Sequence, residues 1–361
     1  MTLDRITLSS FRNHAETRLD ETRQFNLLVG ENGAGKTNIL EALSLFAPGR
    51  GIRRSPLGDM VGQQGAGGFT IGASLFAEPD QEPVRLGTYI DAARPGRRLV
   101  RVNSSEASAV SLGEWLAIGW LTPAMDRLFT DSAGARRRFV DRMVLAVDPT
   151  HARTASRYEA ALRERNRLLS DDVEPDPTWL DGVEAQLSEY GAALAAGRAR
   201  LISALIQELA GLPEEPFARP ALGYAAGGPL HQSELASALR ENRRKDRAAS
   251  RTLIGPHKDE LDVRMAGKNV PAASCSTGEQ KAMLIAIILA HSELATRGRP
   301  NLLLLDEVAA HLDPIRREAL FDRLRGSGAQ VWLTGTELPP FDNIRQEAAI
   351  WRVEHGRTVR L

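Results

Sequence analysis

Cysteine occurs once in the 361 residues, at Cys275, which excludes an internal disulfide framework and leads us to expect a reducing cytosol. No apolar run approaches a membrane span, and Met1-Thr2-Leu3-Asp4-Arg5 reads as the start of a strand rather than a secretion signal. An excess of one charge is also missing. Lys+Arg and Asp+Glu both number 46, which argues against indiscriminate binding to nucleic acid, and any DNA contact must come from local patches. Aromatic residues make up 5% of the chain, too few near its basic stretches for a base-stacking platform. Internal repeats, low-complexity segments and extended heptads are absent. What remains is a 42% hydrophobic chain of a length that suits two domains.

Lysine is scarce as well, with only five, at 36, 245, 258, 268 and 281. One of them closes Gly30-Glu31-Asn32-Gly33-Ala34-Gly35-Lys36-Thr37, a G-x-x-x-x-G-K-[ST] stretch. The apolar run Phe25–Val29 before it suits a buried strand, and Asn38–Leu43 after it has helical spacing. Strand, glycine loop and helix in that order surround an anion with backbone N–H groups and the positive end of a helix. In such a loop Lys36 reaches the β- and γ-phosphates of a nucleotide and the Thr37 hydroxyl ligates Mg²⁺. A planar guanidinium cannot replace the compact ammonium there.

Residues 2–8 alternate as a strand, and 16–19 suggest a return strand. Residues 68–77, 84–91 and 97–102 predict an antiparallel sheet. Pro48–Arg54 is a basic, glycine-rich turn, placed equally well over a bound nucleotide or in solvent. From about residue 132 long helices are expected over 133–147, 150–170, 178–211 and 231–249, with strand character returning at 252–254 and 260–264. The helical block therefore reads as an insertion between two halves of one α/β domain. Two arginine-rich stretches stand out, one with Arg136, Arg137 and Arg138, the other with Arg243, Arg244 and Lys245. Each is a candidate for DNA backbone contact, and each also suits a solvated helix face.

Two further motifs complete the loop. Asn301–Leu305 is a continuous apolar run ending in Asp306-Glu307, as when a buried parallel strand delivers acids to the carboxyl edge of a sheet. Asp306 is placed to hold Mg²⁺, and Glu307 to polarise the attacking water. Ser276-Thr277-Gly278-Glu279 opens a helix as a capping box, which also aims a hydroxyl and backbone N–H groups at open space.

This order, followed by Ala310-His311-Leu312-Asp313, resembles an ABC-type P-loop ATPase head. About 240 residues separate Lys36 from Ser276, and Thr334-Gly335-Thr336 ends the strand from Gln330 without a histidine, unlike a transporter subunit. The gap also lacks the heptads of a Rad50 or SMC protein. A transporter-type motor and a P-loop enzyme phosphorylating a small molecule share the loop, but the second leaves the Ser276 helix without a purpose. Phe11-Arg12-Asn13, Gly49–Arg53, Thr122-Pro123, Arg137–Asp141, Tyr158 through Leu169, and Gly255-Pro256-His257-Lys258-Asp259 are similar to the RecF family over essentially the whole chain.

The resemblance implies an ATPase head over 1–118 and 251–361 with a helical arm over 119–250. It implies ATP on residues 30–37 with Arg12 and Arg53, Mg²⁺ on Thr37 and Asp306, and Glu307 as catalytic base. Ser276 and Gly278 would close the site of the opposite subunit, and His311 and Asp313 would couple the two sites. It further implies an ATP-dependent homodimer with weak, DNA-stimulated turnover that acts on duplex and gapped DNA with RecR and RecO to place RecA, in the cytoplasm at the nucleoid and without a membrane. Lys258 stands where the family has arginine, Glu307 where it commonly has aspartate, and His311 where glutamate is common. Gln63 and Gln64 are candidates by residue type alone for a Mg²⁺-sensing glutamine.

Overall fold

The computed structural model describes residues 2–63, 67–76, 82–94, 96–171, 173, 175–213, 215–296 and 299–361; Gln64 and the side chain of His311 lie outside the described residues. The chain divides into two compact units, one of residues 1–126, 213–217 and 284–361, the other of 127–212 and 218–283.

The first unit begins with β1 (Thr2–Phe11) and β2 (His14–Leu19), whose inward residues Leu3, Ile6, Leu8, Phe11 and Leu19 are fully buried. β3 (Phe25–Val29) is buried along its whole length, as its unbroken apolar run requires of a central strand. It leads through the glycine loop into α1 (Lys36–Ser44). β4 (Phe69–Phe76), β5 (Val84–Ile90), β6 (Arg98–Val102) and β7 (Ser105–Ala107) form an antiparallel sheet with the first two strands, in the order β2-β1-β4-β5-β6-β7. The short α2 (Leu112–Trp115) then precedes β8 (Ala117–Leu121), which belongs to a different sheet.

The second unit contains α3 (Ala133–Val147), α4 (His151–Ser170) and α5 (Pro177–Ala210). Asp176 caps α5 by accepting from Thr178 N, and Pro177 occupies its first turn, where a missing N–H costs nothing. β9 (Pro220–Ala225), α6 (Gln232–Glu241), α7 (Arg243–Ala248), β10 (Glu260–Met265) and β11 (Val270–Pro271) follow, the strands pairing in the order β11-β10-β9. The single helix expected over 231–249 is broken at Asn242, whose side-chain amide donates to Ala238 O at 2.8 Å and closes α6. The strand expected at 252–254 is a loop. Asn166 Oδ1 accepts from both the backbone N and the hydroxyl of Thr252, and Asp246 accepts from Leu253 N, so side chains take the donors a ladder would use.

α8 (Thr277–Ala295) crosses the division between units, which falls between Met283 and Leu284. The first unit resumes with β12 (Asn301–Leu305), α9 (Pro314–Gly326), β13 (Gln330–Gly335), β14 (Ala348–Glu354) and β15 (Arg357–Arg360). Its second sheet runs β15-β14-β3-β13-β12-β8, parallel except for β15. Trp332 and Trp351 stack in its core with ring centroids 5.6 Å apart. The unit boundaries thus differ from the expected 118/119 and 250/251, because β8 pairs with β12 and because β9, β10 and β11 lie with the helices.

Candidate nucleotide site

The carboxyl ends of β3, β12 and β13 meet at one edge of the parallel sheet and bring the sequence motifs together. Thr37 Oγ1 donates to the Asp306 carboxylate at 3.0 and 3.2 Å, joining two motifs far apart in the chain. Two hard oxygen groups in contact are the donor type a small divalent cation takes, so Thr37 and Asp306 fit Mg²⁺. Lys36 is buried, and its Nζ donates to Gly30 O at 2.5 Å and Glu31 O at 2.8 Å. Burial pulls the Lys36 ammonium below its ordinary pKa, while Glu307 and Asp306 act in the opposite direction. A bound phosphate would replace weak carbonyl acceptors with a full charge.

Thr334, a residue the sequence did not single out, completes this cluster. Its buried hydroxyl donates to Asp306 Oδ1 at 2.8 Å and accepts from Glu307 N at 2.8 Å. Glu307 has a φ of 54°, a left-handed conformation that costs a non-glycine residue energy and needs such a support. Among the described residues the Glu307 carboxylate has no hydrogen-bond partner, which leaves it open to bind a water.

The start of the chain holds the loop from below. Asn13 Nδ2 donates to Ala34 O at 3.0 Å, and Asn13 Oδ1 accepts from Asn38 Nδ2 at 2.7 Å. His14 Nε2 donates to Gly35 O at 3.0 Å, and burial lowers the His14 pKa, which favours the neutral ring. Gly35 has φ of 117°, and a Cβ there would stand 2.7 Å from His14 Nε2 and 2.8 Å from Asn13, so only glycine fits. Arg12 and Arg53 converge on Glu41, a fully buried carboxylate on α1. Arg12 makes a fork to Glu41 at 2.9 and 2.8 Å, and Arg53 Nη1 reaches Glu41 at 2.9 Å and Asn38 at 2.5 Å. Glu41 was missed because a lone acid within a helical pattern carries no sequence signal. A pocket of about 570 Å³ includes the loop in its lining, and one of about 460 Å³ lies at Arg12 and Asn13. The larger is lined by Gly30 to Ala34 and Thr336 to Leu338, the smaller by Arg12, Asn13, Asn38 and Gln63.

The remaining candidates are placed as follows. Ser276 and Glu279 form the expected capping box, with Ser276 N and Oγ donating to Glu279 at 2.9 and 3.0 Å. The bond from Lys268, then those from Ser276, hold the Glu279 pKa at about 2. Gly278 is exposed, and a Cβ there would meet nothing within 4 Å. Asp313 caps α9 by accepting from Arg316 N at 2.9 Å. Of the six basic candidates, three are engaged within the protein. Arg136 forks onto Glu260 at 2.6 and 2.9 Å, Arg137 donates to Asp259 O at 2.8 Å, and Arg243 pairs with Asp181 and Glu184. Arg138, Arg244 and Lys245 are exposed.

In the helical unit several of the residues that carry the family resemblance bond within the chain. Tyr158 and His257 are hydrogen bonded at 2.8 Å, and Asp259 accepts from Arg198, Tyr224 and Gly227 N. Lys258, in the middle of that motif, is exposed.

The family model of the RecF/RecN/SMC N-terminal domain matches residues 2–358. The chain is 44% identical to the DNA replication and repair protein RecF of Mesorhizobium japonicum, over 98% of this chain and 96% of that one. It is also 44% identical to RecF of Brucella suis, over 99% and 96%. In fold it is similar to the solved recombination mediator RecF-ATP of the RecFOR pathway (TM-score 0.86, 22% identity, 99% and 97% covered). A second solved RecF of that pathway has a TM-score of 0.88 at 21% identity, covering 100% and 98%. An SMC head from Pyrococcus furiosus gives 0.55 at 17% identity, covering 99% and 96%. The fold is that of an ABC-type ATPase head with a helical unit inserted, and the chain belongs to the RecF family of DNA replication and repair proteins.

Proposed function

We propose that this chain is an ATP-operated, DNA-binding recombination mediator that works as a homodimer. The observation carrying the nucleotide part is the contact of Thr37 with Asp306 beside Lys36 and Glu307. ATP phosphates lie in the loop of Gly30 to Thr37, with Lys36 turned from the Gly30 and Glu31 carbonyls onto the β- and γ-phosphates. Arg12 and Arg53, both fixed by Glu41, border the nucleotide. Thr37 and Asp306 hold Mg²⁺, which when bound offsets the phosphate charge. Glu307 orients a water and accepts its proton as the oxygen attacks the γ-phosphorus and the bond to the bridging β-phosphate oxygen breaks, releasing ADP and inorganic phosphate.

Ser276 and Gly278 serve the nucleotide of the opposite subunit. Gly278 supports this, because neither its conformation nor any neighbour in its own chain requires a glycine, whereas a ligand approaching from outside does. Asp313 and His311 lie in the segment that couples the two sites. DNA phosphates are met by exposed arginine and lysine, Arg138, Arg244 and Lys245 among them. RecR and RecO are the partners, and slow turnover acts as a switch while RecA is placed at gaps, at the nucleoid.

Glu307→Gln tests the mechanism. It keeps the ATP-driven dimer, seen by light scattering, and lowers ATP turnover by about 10²-fold. Turnover at the wild-type rate assigns the base to another group.

A further inference from the structure

At the start of β14, a pocket of about 590 Å³ is lined by Arg23, Leu338, Arg345, Ile350, Arg360 and Leu361. Arg23 precedes β3, at the end of that strand away from the glycine loop, while Leu338 lines both this pocket and the larger pocket beside the loop. Two of the three guanidiniums are fixed by groups that leave their charge unmatched. Arg23 Nη1 donates to Gln346 O at 3.1 Å. The Arg360 guanidinium lies 4.4 Å from the ring centroid of Trp351, itself stacked on Trp332, and makes a long contact of 3.4 Å to Glu21 O.

Among the described residues no carboxylate pairs with Arg23 or Arg360. Arg345 has only Asp342, at 3.9 Å in solvent, and Glu347 is taken by Arg325. Partial burial, then the neighbouring Arg23, hold the Arg360 guanidinium below its ordinary pKa, with Glu21 acting in the opposite direction. Like charges held together with no carboxylate paired to Arg23 or Arg360 among the described residues cost energy that an incoming anion recovers.

Guanidinium forks accept phosphate and carboxylate alike, so the floor decides between them. Leu338, Ile350 and Leu361 add apolar side chains to the lining that its arginines share. A phosphodiester backbone has nothing to place there. An acidic peptide carrying an apolar side chain matches both parts, and the volume far exceeds a single oxyanion.

We infer that this pocket docks an extended acidic peptide segment of a partner protein, with carboxylates on Arg23, Arg345 and Arg360 and an apolar side chain against Leu338. Leu338 also lines the larger pocket beside the glycine loop, whereas Arg23, Arg345 and Arg360 belong to neither the loop nor the acidic pair, so the arginine variants test this site apart from the nucleotide reading.

An array of ten-residue peptides, graded in aspartate number and in leucine content, is probed with the full chain and with Arg23→Gln/Arg360→Gln. Retention should rise with aspartate number and require leucine. It should fall at least tenfold in the variant, whose melting midpoint and ATP binding stay unchanged. Should the variant melt early, Arg23→Gln alone, which leaves the Trp351 stack intact, should still lose several-fold. The inference is overturned if wild type retains no peptide better than the variants, or if a labelled duplex rather than the peptides loses binding.

Discussion

Around the glycine loop, Lys36 is bonded only to two backbone carbonyls and the Glu307 carboxylate has no partner among the described residues. In the helical unit two buried arginines are saturated instead. Arg165, fully buried, bonds Glu184, Asp246, the Thr252 hydroxyl and Leu239 O at 2.7 to 3.0 Å. Arg198 bonds both oxygens of Asp141, Asp259 and Pro256 O at 2.7 to 2.8 Å. Burial opposes its charge, yet the Asp141 and Asp259 carboxylates hold the Arg198 pKa above its ordinary value. Charge that is completed within the chain maintains architecture, and charge left incomplete marks where a ligand enters. A buried pair is retained at a desolvation cost, so its loss from one side is felt far more than its presence.

This contrast can be broken most sharply by exchanging the two kinds of residue. Arg198→Ala strands two carboxylates and should cost about 3–5 kcal/mol of stability, read by urea unfolding. Lys36→Ala should leave the unfolding curve nearly in place and abolish ATP-driven dimerisation. A reversed pattern, with Lys36→Ala unfolding early and Arg198→Ala unaffected, would defeat the distinction.

Much of the α/β unit was legible because its signals are local. The loop, the strand ending in Asp306-Glu307 and the alternating strands each carry their pattern within a few residues, and all are found where expected. The helical unit was legible as helices but not as a network. No spacing rule pairs Arg165 with Asp246 across 81 residues, or tells that Arg136 and Arg243 are committed to acids while Arg138 and Arg244 are exposed. Thr334 and Glu41 were hidden for the same reason, since their importance lies in what they touch. The strand wrongly expected at 252–254 failed because Asn166 and Asp246 claim its donors from a distance.

Thr334 sharpens the comparison at smaller scale, as a positioning residue within the open site. Thr334→Val keeps shape but removes the bonds to Asp306 and Glu307 N, and should lower kcat by about tenfold with ATP affinity retained, given about 1–3 kcal/mol for a lost buried bond. Thr334→Ser, which keeps the hydroxyl, should restore turnover. Equal losses in both variants would show that the methyl group matters instead.

A smaller effect is expected from the exposed cations. Replacing Arg138, Arg244 and Lys245 together with alanine should weaken duplex binding and flatten its salt dependence by about 0.9 log unit per lost phosphate contact. The ion-paired Arg136 and Arg243 should change the slope little when replaced singly. An identical slope for the triple variant and wild type would remove these cations from the DNA surface.

The central claim, that the open charges of one subunit are completed by another, is tested most directly by mixing two inactive variants. Ser276→Arg obstructs the partner's site and Lys36→Ala disables its own, so neither homodimer should turn over ATP. In mixed dimers the intact Lys36 of one chain faces the intact Ser276 of the other. Lys36→Ala, which does not dimerise on its own nucleotide, enters a dimer through the ATP of its partner, and where about half the dimers are mixed roughly a quarter of wild-type turnover should return. Mixed dimers that form and bind ATP yet show no turnover at any ratio would contradict the shared site.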